Sequence, residues 1–202
     1  MKKQLIGAVL ACSMSTAATA GVIFEDNFDS EAGAPGNHAL NYNSFTNWSV
    51  SNGTVDVVSS GGWGISCTGG TGKCVDLDGS TGNAGIFTST ALTLGPGDYT
   101  LSFDISGNQR YGSSDSLAVT LGGFFSDSYL LSPSDPWTTI THSFSVAAAT
   151  TSSFIFNHAG GDNIGIMLDN VSLSSVDVPE PGSIALFGLG ILGLGFARRK
   201  AQ

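Results

Sequence analysis

Regular alternation of apolar and polar residues in short segments is the feature that most constrains the fold of this 202-residue chain. In GDYTLSFDIS, every second residue from Tyr99 to Ile105 is apolar, so these side chains share one face of an extended strand. The same period recurs in three later segments, at 117–121, 140–146 and 154–156. Because clusters of Gly, Ser, Asn and Asp separate the segments, the pattern predicts an all-β domain, a two-sheet antiparallel β-sandwich.

One segment, IGIMLDNVSL, interrupts this alternation. Apolar residues occupy alternate positions from Ile164 to Leu168, whereas Val171 and Leu173 are one position out of phase. An extra residue in a strand exchanges its two faces, so we expect a β-bulge beginning at Asp169. Bulges are frequent beside functional sites because they redirect a side chain.

The first twenty residues have the order of parts found in a secretory signal peptide. Lys2 and Lys3 form a positive n-region, an apolar run follows at 5–11, and small residues end in an A-x-A-like site at Ala20. Residues 1–20 are therefore predicted to be removed on export. The alternative is a buried N-terminal helix.

The C-terminal end combines an uncharged apolar run with a basic cluster. As a single transmembrane helix, residues 183–197 would span roughly 22 Å at ~1.5 Å per residue, short of a ~30 Å hydrocarbon core. The basic residues Arg198, Arg199 and Lys200 follow at once and are expected to remain cytoplasmic. This arrangement places residues 21–177 on the far side of the membrane.

The tripeptide Pro179-Glu180-Pro181 stands just before this run, and its two prolines keep it extended. Together the three parts at 178–202 resemble a PEP-CTERM sorting signal. The resemblance implies an inner-membrane intermediate, processing by an exosortase of a Gram-negative bacterium, and a final place at the cell surface or in the extracellular matrix, often with exopolysaccharide in a biofilm. A plain C-terminal membrane anchor is the alternative.

The charge of the central domain excludes some partners. Residues 21–177 contain two basic and fifteen acidic side chains, a formal net charge of −13. Such a charge argues against nucleic acid and anionic membrane surfaces as ligands. It fits an exported soluble domain or one that attracts divalent cations.

Two cysteines, Cys67 and Cys74, remain in this domain, in the sequence CTGGTGKC. In an exported protein, a pair this close predicts a disulfide. The alternatives are two free thiols or half of a metal site, although no second pair or nearby histidine completes a zinc ligand set.

Seven short motifs occur in order along residues 22–176: NFD at 27–29, FTNWSV at 45–50, GTVDVV at 53–58, CVDLDG at 74–79, YTLSFD at 99–104, WT at 137–138 and LDNVSL at 168–173. Their order resembles the galactose-binding-like jelly rolls of the choice-of-anchor group. The resemblance implies an eight-stranded jelly roll, sugar or cell-wall binding in some members, and frequently one structural Ca²⁺. The matching calcium positions are Asp29 and Asp169, with Glu25 or Asp26 as helpers.

Three residues are candidates for sugar binding, because aromatic rings stack on sugar C–H faces and polar groups bond the hydroxyls. Trp63 lies in a glycine-rich loop, and Arg110 and Tyr111 lie in a polar loop between two predicted strands. A structural or solvated role is the alternative for each. Trp48 and Trp137 stand at strand starts and are expected in the core.

The sequence shows no catalytic motif such as H-E-x-x-H, G-x-S-x-G or a P-loop, and its three histidines lie in unrelated contexts. A non-catalytic protein is therefore expected, one that binds exopolysaccharide or another envelope glycan. The alternatives are a structural matrix or adhesion protein that binds other proteins, and a secreted hydrolase.

Overall fold

The computed structural model describes residues 21–176, which form thirteen β-strands and two short 3-10 turns. The turns are Gly62–Gly64 and Thr68–Gly70. The strands are β1 Gly21–Asp26, β2 Trp48–Ser51, β3 Asp56–Ser59, β4 Lys73–Asp76, β5 Ile86–Ser89, β6 Leu92–Leu94, β7 Gly97–Ser106, β8 Asp115–Leu121, β9 Phe125–Leu131, β10 Thr138–Val146, β11 Thr150–Ser152, β12 Phe154–His158 and β13 Met167–Val176.

The strands form two large antiparallel sheets and one small one. The six-stranded sheet has the order β10-β7-β13-β4-β3, with β1 also paired to β13, and the five-stranded sheet has the order β2-β5-β12-β8-β9. Strands β6 and β11 form the small sheet. The predicted all-β sandwich is confirmed. The large sheets contain eleven strands in place of the eight that the resemblance implies, because short edge strands such as β2 and β3 extend them.

The core lies between the two sheets and is largely aromatic. Phe103 of β7 and Phe156 of β12 meet edge to face, with ring centroids 5.4 Å apart. Phe87 is fully buried and stacks on Trp48 at a centroid distance of 4.4 Å, so Trp48 is in the core as expected. Alternate residues of β7 from Tyr99 are buried, as the periodicity predicts.

Strand β13 is an inner strand of the six-stranded sheet, paired with β1, β4 and β7, and contains the predicted bulge. Its register against β7 shifts between Asp169 and Ser172. It begins at Met167, opposite Asp76, and ends at Val176. The start of β1, Gly21, is paired with Ser175, so both ends of the described chain meet at the same end of this strand.

Residues 1–20 and 177–202 lie outside the described part of the chain. The predicted signal peptide, the transmembrane helix at 183–197 and the domain limits therefore stay predictions. Within residues 21–176, no helix has both the length and the apolar character needed to cross a membrane.

Candidate functional site

A small hydrophobic cluster, separate from the main core, supports two loops at one end of the sandwich. Its buried members are Val58, Ile65, Cys67, Cys74 and Met167. Cys67 and Cys74 form a disulfide with their Cα atoms 5.5 Å apart, which confirms the predicted pairing. The partly buried Trp137 packs against the cluster. We call these six residues the disulfide cluster.

The two predicted calcium ligands hold the loop that the disulfide closes. A carboxylate oxygen of Asp169 accepts a hydrogen bond from the backbone N–H of Thr68 at 3.1 Å, and one of Asp29 accepts from that of Lys73 at 2.7 Å. Among residues 21–176, no group of three or more His, Cys, Asp or Glu side chains could hold a metal ion. This pair does not by itself form a calcium donor set, and calcium binding stays a prediction from the sequence.

Trp63 projects from the loop that leads into the cluster. Its side chain is 52% exposed, and its backbone has φ +48°, a left-handed conformation that is rare for a bulky residue. The ring packs on His38, with centroids 4.6 Å apart. The preceding residue is Gly62, where any side chain would collide with the His38 ring. An exposed indole is thus held in a strained but supported position, as is common at binding sites.

Ser66 connects this loop to the loop that carries Arg110. The side-chain amide of Gln109 both accepts from the Ser66 N–H at 2.9 Å and donates to the Ser66 carbonyl at 3.0 Å. The indole N–H of Trp137 donates to the same carbonyl at 2.7 Å. Trp137 is partly buried and packs on the disulfide cluster, so it belongs to this smaller apolar cluster and not to the main core between the sheets.

Arg110 forms an ion pair with the buried Asp76, at 2.8 Å between nitrogen and oxygen. The same nitrogen lies 3.4 Å from the carbonyl oxygen of Asn163. Burial raises the pKa of Asp76, and the backbone N–H groups of Asp78 and Gly165 and the Arg110 guanidinium oppose the rise. These contacts fix the guanidinium in one orientation.

Trp63 and Arg110 line one cleft of about 170 Å³, which we call the Trp63–Arg110 cleft. The side chain of Arg110 remains 20% exposed there. Tyr111 is 72% exposed and does not line the cleft, so the structure brings together two of the three predicted residues. The remaining lining residues are Leu40, Asp56, Val58, Asp76, Ser80 and Asn163.

A second cavity of about 530 Å³ shares Arg110 with this cleft, and we call it the Trp137 cavity. Besides Arg110 and Trp137, it is lined by Ser106, Gln109, Pro133, Ser134, Asp135 and Pro136. Like the first cleft, it combines one tryptophan ring with aspartate, serine and the shared Arg110 side chain.

Another cavity, about 660 Å³, lies around β1 and the bulge of β13. It is lined by acidic and small polar residues, and no aromatic side chain is among them. Asp26, for example, accepts hydrogen bonds from the indole N–H of Trp48 at 3.0 Å and from the Asn47 amide at 3.1 Å. This cavity therefore offers no aromatic surface on which a sugar ring could stack.

The three histidines have different partners. His38 accepts a hydrogen bond from the Ser59 N–H at 3.0 Å, and His142 packs on Phe125. His158 is buried and accepts from the Ile166 N–H at 3.2 Å. Burial lowers the pKa of His158, although Asp78 and Asp162 oppose this effect.

Sequence reasoning missed the residues that position Arg110. Asp76 and Asn163 lie 34 and 53 residues from it along the chain. Asp76 comes two residues after Cys74, so its nearness to the disulfide could have been a signal in the sequence. Asn163 stands in a glycine-rich loop, where no such signal is present.

Comparison with known proteins identifies the C-terminal segment. A model of the PEP-CTERM protein-sorting motif matches residues 177–200. The chain carries a PEP-CTERM sorting motif. The match confirms the resemblance drawn from Pro179-Glu180-Pro181 and the basic cluster at 198–200. The PEP-CTERM motif indicates an exported protein that is anchored in a membrane before an exosortase processes it.

Several solved structures are similar to the domain that precedes the PEP-CTERM motif. The K3 adhesin domain of Lys-gingipain from Porphyromonas gingivalis is 20% identical over 78% of this chain and 99% of that one, with a TM-score of 0.48. The CBM22-1 xylan-binding domain of Xyn10C from Paenibacillus barcinonensis is 12% identical over 81% and 99%, with a TM-score of 0.45. No curated protein sequence matches the chain.

Proposed function

We propose that this exported protein binds a glycan, without catalysis, through the Trp63–Arg110 cleft. The observation that carries the proposal is that the half-exposed Trp63 ring and the fixed Arg110 side chain line the same cleft. Sugar sites combine a ring that stacks on C–H faces with a few fixed hydrogen-bonding groups, and ligand pockets in general place few polar groups on an apolar wall.

The polar groups of the cleft are held in place before any ligand arrives. Asp56 accepts from the Ser80 hydroxyl at 2.7 Å, and Asp76 holds Arg110. The Trp63 loop is fixed by Gln109 through Ser66 and by the disulfide behind it. Pre-organised groups lose little entropy on binding, which supports a recognition role for this end of the sandwich.

The test uses the protein purified from a strain that exports and processes it, applied to an array of bacterial and plant glycans. We expect specific binding that Trp63→Ala weakens at least about tenfold, since an aromatic anchor contributes ~2 kcal/mol or more to many interfaces. The exposed Trp63 contributes little to folding, so stability should change by no more than ~0.5 kcal/mol.

The matched control is Tyr111→Ala, which removes an exposed ring outside the cleft. Its binding should equal that of the unmodified protein. Equal binding by the Trp63→Ala variant would contradict the proposal. Binding to protein partners with no signal on any glycan would favour the alternative, a matrix or adhesion protein.

A further inference from the structure

The Trp63–Arg110 cleft is small for a complete ligand site. Ligand pockets usually have volumes of roughly 300–1,000 Å³, and this cleft has about 170 Å³. The Trp137 cavity adds about 530 Å³ and shares Arg110 with the cleft. A ligand that only fills the cleft would therefore leave most of the adjoining space empty.

The Trp137 cavity is as rigidly built as the cleft. The side chain of Asp135 accepts hydrogen bonds from the N–H and hydroxyl of Ser132, at 2.8 and 2.7 Å. The backbone N–H of Gln109 donates to the Pro133 carbonyl at 2.9 Å. Gly107 allows this close approach, because a side chain there would collide with the Ser132 carbonyl.

Ser66 links the loop that carries Trp63 to the ring of Trp137. The Ser66 carbonyl accepts from the indole of Trp137 and from Gln109, and Ser66 lies three residues after Trp63. The cleft and the cavity are thus parts of one framework with Arg110 between them. From this continuity we infer that the Trp137 cavity is a second subsite, and that the ligand is a neutral polysaccharide chain that lies across Arg110 from Trp63 to Trp137.

The charges of the domain favour a neutral chain. Of the two basic side chains among residues 21–176, Lys73 is buried and donates its ammonium to backbone carbonyls, including that of Gly33 at 2.8 Å. The other, Arg110, already faces Asp76. Asp56 and Asp135 add negative charge along the path. A polyanionic chain would meet repulsion with no free cation to offset it.

This inference rests on the proposed function, and its test separates the two. The probes are laminarin, xylan and dextran with their oligosaccharides of two to six units, and alginate as a polyanion. The processed protein should bind a hexasaccharide at least about tenfold more tightly than the disaccharide of the same series. Trp137→Ala should abolish this gain and leave disaccharide binding within about twofold.

Trp137 also packs on the disulfide cluster, so a second variant fills the cavity without removing a buried side chain. The exposed Ser134 lines the cavity, and Ser134→Arg should block it and abolish the gain with chain length. The matched control is Ser126→Arg, at an exposed position of β9 outside the cavity.

The outcomes distinguish the two proposals. A gain with chain length that survives Ser134→Arg would overturn the second subsite, as would affinity that does not depend on chain length while Trp63→Ala still abolishes binding. Preference for alginate would overturn the neutral ligand. If the unmodified protein binds none of the carbohydrate probes, the proposed function itself is overturned.

Discussion

The main core and the disulfide cluster are both buried and apolar, but they differ in what surrounds them. The main core joins both large sheets through aromatic contacts such as Phe103 on Phe156. The disulfide cluster is much smaller, and the buried carboxyls of Asp76 and Asp169 flank its Met167 along the chain and across the sheet.

This difference assigns the two regions different roles. Apolar area buried between sheets stabilises the whole domain in proportion to its extent. The disulfide cluster buries too little area to matter equally, but it lies directly behind the loops of Trp63 and Arg110. We expect the first region to determine whether the chain folds and the second to determine the shape of the cleft.

The largest effect is expected from the main core. Phe87→Ala removes a fully buried ring that contacts Trp48, Phe28 and Phe45. It should lower the free energy of unfolding by about 3–5 kcal/mol, measured by urea denaturation. At a temperature where the variant is still folded, its glycan affinity should not change. A cost below ~1 kcal/mol would show that the core is not the main source of stability.

A smaller loss of stability is expected from the disulfide, with a larger loss of binding. Replacing both Cys67 and Cys74 by Ala keeps the cluster apolar but opens a short loop, and should cost about 2 kcal/mol in the same urea experiment. Glycan affinity should fall because the Trp63 loop loses its support. Unchanged affinity in the double variant would show that the shape of the cleft does not depend on the disulfide.

The smallest effect is expected from pH, and it should come from the cluster region. Burial raises the pKa of Asp169 to about 7, from 3.8. The folded state holds a proton that the unfolded state releases, so this stabilisation is complete below pH ~4 and is lost as pH rises through 7.

The melting temperature should therefore fall between pH 6.5 and pH 8.5, a range in which the lowered pKa of His158 has little influence. Each kcal/mol lost corresponds to roughly 2–4 °C in a domain of this size. Asp169→Asn should flatten the part of the curve near pH 7. A melting temperature that rises over this range would contradict the raised pKa of Asp169.

The regular parts of the fold were predictable because they depend on local periodicity. The alternation in β7 and the change of phase at Asp169 are visible in the sequence, and both are found in the structure. The disulfide was predictable because Cys67 and Cys74 are close along the chain in an exported domain.

The cleft was only partly predictable, because its geometry depends on contacts between distant segments. Trp63 and Arg110 stood out as large side chains in polar loops, but nothing local showed that they share a cleft. That Trp137 joins the disulfide cluster and not the main core was not predictable, since its position depends on a hydrogen bond to Ser66, 71 residues away. Asp29 and Asp169 were selected by family resemblance, whereas their contacts to the disulfide loop follow from tertiary packing.

The two ends of strand β13 lie in different surroundings. Its first residue, Met167, adjoins Asp76 beneath the cleft, and its last, Val176, directly precedes the segment that carries the sorting motif. Ten extended residues cover about 30 Å at ~3.3 Å each. The two ends of this strand therefore lie far apart within the domain, one beside the cleft that we propose binds a glycan and the other where the described chain ends.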